Sequence, residues 1–171
     1  MELLELLKER YSVRKYSDRK IEDEKLAKIL EAGLVAPSAK NNQPVRVYVL
    51  KSEEAINKIR GITRCAYNAP VVLMVAYDEN VQWNNDLEEG ITSGQQDAAI
   101  VATHMMLEAA SLGIGSVWVC WFPNTVTHEA FELPANEKLA LLMPMGYPAE
   151  DSQPTPNHFN KIDAKEMFRE I

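Results

Sequence analysis

The chain has 171 residues, 46% of them hydrophobic and 25% charged, and carries a formal net charge of -7. That length suits one domain with a sizeable core, and the acidic balance repels nucleic-acid phosphates and offers no basic face to a membrane. No apolar run reaches the roughly 20 residues of a membrane span, and Glu2 and Glu5 interrupt the pattern of a signal peptide; a single soluble, cytoplasmic domain over 1–171 is the expectation.

Leu3, Leu4 and Leu7 share one helical face, so residues 2–10 are expected to form a short amphipathic helix. A second helix is expected over 23–34, carried by Leu26, Ile29, Leu30 and Leu34 and stopped by Pro37. A polar loop from Pro37 to Pro44 then feeds a strand in which Val45, Val47 and Val49 alternate. Residues 53–60 suit a helix, and the β-branched run Val71–Tyr77 suits a central strand covered on both faces. The small and flexible apolar residues between Ile91 and Leu112 predict a central, mostly buried helix about 33 Å long, closed by Gly113. Val117–Phe122 is a strand candidate, 126–132 a helix and Leu139–Met145 another strand. Beyond Gly146 three prolines and a final apolar cluster of Met167, Phe168 and Ile171 suggest an arm over 147–171, anchored by its tip. The mixture of helices and strands in one unit is an α+β domain.

The two cysteines, Cys65 and Cys120, and the three histidines are scattered, and His128-Glu129 lacks the second histidine of a zinc helix, so no disulfide framework or metal site is expected. Three segments carry chemistry instead. In Arg10-Tyr11-Ser12-Val13-Arg14, two guanidiniums and a hydroxyl could converge on one anion; the alternative is an exposed basic helix end set against the helix dipole. The loop Ser38-Ala39-Lys40-Asn41-Asn42-Gln43, stiffened by its flanking prolines, offers amides that both donate and accept, as reading a heterocycle edge requires, although Asn and Ser also favour turns for backbone reasons. Gly113 and Gly115 lack the third glycine and following helix of a dinucleotide loop and suit a tight helix-to-strand turn, with at least one of Trp118 and Trp121 in the core and Cys120 a small apolar filler.

Taken in order, Arg10–Tyr16, Pro37–Pro44, Gln96–Ala99, Gly113–Trp118 and Met145–Pro148 resemble the nitroreductase family across nearly the whole chain. The resemblance implies an α+β nitroreductase-like fold with a mixed central β-sheet flanked by helices, and an intertwined homodimer that exchanges its C-terminal arm and binds two FMN molecules at the interface. It implies that Arg10 and Ser12 hold the FMN phosphate and ribityl chain. Arg14 would sit by flavin N1, where a fixed positive charge favours the anionic reduced cofactor and tunes its potential. Pro37, Ser38 and Asn41 would approach the flavin from the partner subunit, and backbone groups of Val119 and Cys120 would lie near N5. The family's pattern is departed from at Val45, where relatives carry an aromatic ring, at Trp121, where they often carry glycine, and in the arm, where Lys161 stands in for the usual arginine.

The activity so implied is an NAD(P)H-dependent flavin oxidoreductase in which the nicotinamide donor and the acceptor, a nitroaromatic, quinone or activated alkene, use one site in turn. Two alternatives stay open: a flavin-binding carrier or sensor without turnover, with Trp121 over the cofactor, and a superfamily variant reaction such as reductive dehalogenation.

Overall fold

The computed structural model describes residues 2–171. Six helices and four strands follow one another as α1 (Leu3–Glu9), α2 (Asp23–Leu34), β1 (Val45–Leu50), α3 (Glu53–Ile62), β2 (Val71–Asp78), α4 (Gly94–Ser111), β3 (Gly115–Ser116), α5 (Asn124–Ala130), β4 (Glu137–Gly146) and α6 (Ala164–Met167). The strands form one sheet in the order β1-β2-β4-β3, and all three pairings are antiparallel. Its mixed character is confined to a single parallel bridge between Ser12 and Ser116.

β2 is the central strand that its unbroken apolar run suggests, and it is buried on both faces. Val71, Leu73 and Val75 meet α2 and α4 through Leu26, Ile29 and Met105, whereas Val72, Met74 and Ala76 meet Ile56 and Ile59 of α3 on the other face. The period of two thus divides one apolar run between two cores. Between Val75 and Ala76 the pairing partner jumps from Leu141 to Leu139, so Ala140 is one extra residue in β4, a bulge that bends the strand.

α4 buries Ala98, Val101, Ala102, Met105 and Ala109, a stripe at helical spacing. Gln95, Gln96, Ile100 and Ser111 are exposed and every other position of the helix is buried or half-buried, as expected of a central helix. Its end is a Schellman turn: the Ile114 N–H donates to Ala109 O at 2.8 Å, the Gly113 N–H to Ala110 O at 3.0 Å, and Gly113 sits at φ 75°.

The expected strand Val117–Phe122 is cut short. Gly115 and Ser116 pair with Gly146 and Met145, but the Val117 N–H donates to the carbonyl of Pro144, which has no N–H to return. One further bridge, Val119 to Leu142, follows before the chain leaves the sheet. The arm also differs from expectation. Its root is held, with a Tyr16–Pro148 bridge, the Ala149 N–H donating to Lys15 O, and Tyr11 Oη donating to Ser152, whereas Met167, Phe168 and Ile171 at its tip are exposed. α1 buries none of its residues, and Leu3, Leu4 and Leu7 all face outward. Among the described residues no helix is long and apolar enough to cross a membrane.

Candidate functional site

Residues 12–14 run beside β3. The Ser12–Ser116 bridge and the Val13 N–H donating to Ser116 O at 3.0 Å hold them in extended form. Gly115 is required by this approach, because a Cβ there would lie 2.5 Å from Val13 Cγ2. Val13 is consequently buried, and the alternation puts Ser12 and Arg14 together on the other side. Both line a cavity of about 200 Å³ whose remaining wall is Thr155, Asn157 and His158 at the start of the arm. Arg14 donates one hydrogen bond, from Nη1 to Ser12 O at 3.2 Å, and makes no salt bridge among the described residues. Its charge is therefore largely uncompensated.

Arg10, at the end of α1, lines a neighbouring cavity of about 180 Å³ with Tyr11, Val13, Ser116 and Pro148. The two guanidiniums expected to converge lie against separate cavities within one chain. Tyr16 anchors this corner: its buried hydroxyl donates to Val13 O at 2.7 Å and Pro144 O at 3.0 Å. Burial pushes the Tyr16 phenol far up, and the positive Arg14 opposes that rise.

The loop after α2 keeps its shape through one buried carboxylate. Asp97, on the first turn of α4 and 2% exposed, accepts the Ala39 N–H at 3.0 Å and the Ser93 hydroxyl at 2.7 Å. Ser38 Oγ accepts the Gln43 N–H at 2.9 Å, closing the loop, and Lys40, Asn41 and Gln43 adopt left-handed backbone angles. Pro37 and the Asn41 amide are left facing solvent. Ser38 and Gln43 instead line an apolar cavity of about 410 Å³ between α2, β1 and α4. This loop and the Ser12–Arg14 cavity share no lining residue in a single chain.

The segment after β3 divides its two expected backbone contributors. Val119 is buried and gives both backbone groups to Leu142, donating at 3.0 Å and accepting at 2.9 Å. Its amide is therefore unavailable to a ligand, which narrows the expected pair to Cys120. The Cys120 N–H has no partner among the described residues. The Cys120 side chain is exposed, not core filler, and its Sγ accepts from Trp118 Nε1 at 3.1 Å. Trp118 packs against the core as expected of one tryptophan, while Trp121 is 69% exposed. Lys161 donates to His158 O at 2.6 Å and does not line the Ser12–Arg14 cavity.

Two features escaped the sequence reading. Asp97 lies in a recognised segment, but a carboxylate near a helix start reads equally as a dipole partner. His158, Asn157 and Thr155 reach the cavity only because the chain folds back about 140 residues later.

An antiparallel sheet clad by helices on both faces, with a cationic, donor-rich rim, defines the α+β class of this molecule. The chain belongs to the nitroreductase family, whose model, described as "Nitroreductase family", matches residues 7–67 and 61–147. A protein of Methanothermobacter thermautotrophicus provisionally assigned as an NADH dehydrogenase/NAD(P)H nitroreductase is 33% identical over 158 residues, covering 88% of this chain and 80% of that one. The crystal structure of a nitroreductase family protein from Clostridium difficile 630 superposes with a TM-score of 0.92 at 36% identity, covering 99% of this chain and 98% of the other. A provisionally assigned nitroreductase of Desulfovibrio desulfuricans, solved in complex with FMN, gives a TM-score of 0.79 at 26% identity, with 100% and 97% covered.

Proposed function

We propose that the protein is an FMN-dependent oxidoreductase that takes electrons from NAD(P)H and delivers them to a small organic acceptor: a nitroaromatic, a quinone or an activated alkene. The single observation that carries this reading is Arg14, an exposed guanidinium without a counter-ion, set beside Ser12 in one cavity. The donor set fits the cofactor: arginine and serine suit a phosphate or the pyrimidine edge of a flavin, and the unpartnered Cys120 N–H suits a ring nitrogen. The complex of the Desulfovibrio relative with FMN and the name of the Methanothermobacter relative support the choice of cofactor and donor.

In this reading Ser12, with His158 and Asn157 as further donors, holds the ribityl chain and phosphate, and Arg10 reaches the phosphate from the neighbouring cavity. Arg14 places a fixed positive charge at the pyrimidine edge, and Cys120 offers its backbone N–H near N5. When bound, FMN supplies hydride and electron transfer between reduced nicotinamide and acceptor, so the protein needs only to position and polarise. Because donor and acceptor use one site, no separate nucleotide motif is required.

Two copies complete the site. The Pro37–Asn41 loop and the Arg14 cavity lie apart in one chain, and the loop is the piece a partner supplies. β1 is an edge strand beside the 410 Å³ apolar cavity, and the arm exposes Phe159, Ile162, Met167 and Phe168. The arm of one protomer crossing to the other buries both.

The visible absorption spectrum of the purified protein tests the reading, with bound flavin expected. Arg14→Ala should weaken FMN retention about tenfold or more, since a hydrogen bond to a charged group is worth roughly 1.5–3 kcal/mol, and should lower the potential. Unchanged affinity and potential would remove Arg14 from this role. Oxidation of NADH or NADPH in the presence of acceptors separates an enzyme from a carrier, which would not turn over.

A further inference from the structure

One turn joins the two groups assigned above to the cofactor. The 3-10 turn Arg64–Ala66 runs into Tyr67, and its two ends reach different parts of the site. At one end the Arg64 guanidinium lies over the Trp121 ring, 4.8 Å from its centre. At the other the Tyr67 ring lies 6.0 Å from the Arg14 guanidinium. Trp121 directly follows Cys120, so the turn links the residue beside the free Cys120 amide to Arg14.

The turn is rigid. Thr63 Oγ1 accepts the Cys65 N–H at 3.1 Å, Cys65 and Ala66 are buried, and Arg60 Nη2 donates to Asn68 O at 3.0 Å and Ala69 O at 3.3 Å. Tyr67 and Asn68 hold left-handed backbone angles of 50° and 55°, which the packing of this corner must impose on them. Burial pushes the Tyr67 phenol up, so it stays a neutral hydroxyl beside Arg14.

Arg64, by contrast, is exposed, makes no salt bridge and donates no side-chain hydrogen bond among the described residues. A guanidinium stacked on an indole keeps its in-plane N–H fork free, a shape that matches a carboxylate with two parallel bonds. The neighbouring indole offers a flat apolar face, 69% exposed, on which a ring can stack. With a net charge of -7 the molecule as a whole repels anions, so a cation left unpaired at this rim acts locally.

We propose that Arg64 and Trp121 form the acceptor-selecting rim of the site, and that they favour flat aromatic compounds bearing a carboxylate. The proposal rests on the flavin reading above for its link to turnover, and names the class of acceptor that reading leaves open.

The test is calorimetric titration of the purified protein with 2-naphthoate and with 2-naphthamide, which share a ring, differ in charge and are not reduced. The wild-type protein should bind the carboxylate about tenfold tighter. Arg64→Gln should bring naphthoate down to the level of naphthamide while leaving naphthamide within about twofold, and Trp121→Ala should weaken both. Equal binding of the two compounds by the wild type, or a preference that survives Arg64→Gln, overturns the proposal. The visible absorption of the same samples reports flavin separately: a colourless protein that still prefers naphthoate refutes the cofactor reading and keeps the carboxylate rim, whereas a yellow protein without preference does the reverse.

Discussion

Asp97 shows how one buried side chain shapes a loop that is not its own. Its two oxygens are satisfied by Ala39 N–H and Ser93 Oγ, so it couples the start of α4 to the Ser38–Gln43 loop. Asp97→Ala leaves the part-buried Ala39 N–H without an acceptor and the Ser93 hydroxyl, which still accepts the Trp83 N–H, with nothing to donate to, at about 1–3 kcal/mol each at most, and frees the loop. A loss of about 2–4 kcal/mol in denaturant unfolding is expected, together with weaker flavin retention. Asp97→Asn keeps a carbonyl for the Ala39 N–H, and the Ser93 hydroxyl can turn to accept from the new amide, so it should lose less than half as much. Equal losses in the two variants would mean that the charge, not the hydrogen-bond pattern, holds the loop. The local motif made Arg14, Ser12 and the loop legible in the sequence, since their residue types declare their chemistry. The roles of Asp97, His158 and Arg64 were not legible, because each depends on a partner distant in the chain.

At the level of elements, two glycines in open space give opposite expectations. Gly61 lies within α3, where an added Cβ meets nothing within 4 Å and the backbone is helical. Gly61→Ala should stabilise by about 0.5–1 kcal/mol, through reduced freedom of the unfolded chain. Gly113 also has nothing within 4 Å, but its φ is 75°. Gly113→Ala should therefore destabilise by about 1 kcal/mol, and a thermal melt of the two variants should show shifts of opposite sign. Sequence periodicity located α1 to α5 and the strands β1, β2 and β4 to within a few residues, but it missed α6 in the arm and misplaced the strand after Gly113. The apolar run Val117–Phe122 has the composition of a strand, yet at Val117 it meets Pro144, which has no N–H to return, and only one further bridge, Val119 to Leu142, forms before the chain leaves the sheet.

For the molecule as a whole, acid stability is expected to depend on a cluster that ties α2 to the exit of β4. Glu22 accepts from Tyr147 Oη at 2.6 Å and from Arg19 Nη2 at 2.6 Å, while the Arg19 guanidinium lies 3.9 Å from the centre of the Tyr147 ring. The Tyr147 and Arg19 hydrogen bonds, in that order, lower the Glu22 carboxyl from 4.5 to about 2. Between those values the unfolded chain binds the proton and the folded chain does not, so lowering the pH favours unfolding. The contribution is complete above 4.5 and is lost as the pH falls through about 2. Asp78 and Asp151 are lowered too and add to the same trend. Denaturant unfolding at a series of pH values should show a shallower acid loss for Glu22→Gln than for the wild type. Because the cluster is exposed, salt should reduce the difference. The proposed dimer has its own test: Ile162→Asp with Phe168→Asp alters only side chains that are exposed in one chain, and should give monomers in light scattering where the wild type gives dimers, without unfolding the chain.

Composition and residue order determined that this chain has an α+β fold of the nitroreductase family, because apolar periodicity and turn residues act over a few neighbours and are written in the chain itself. Tertiary structure decided which of the marked residues meet. It placed Ser12 and Arg14 with His158, separated them from Arg10 and from the Ser38 loop, removed the Val119 amide into the sheet, left the Cys120 amide without a partner and laid Arg64 over the exposed Trp121. Whether a donor is available is a property of everything packed around it, and no local stretch of sequence encodes that.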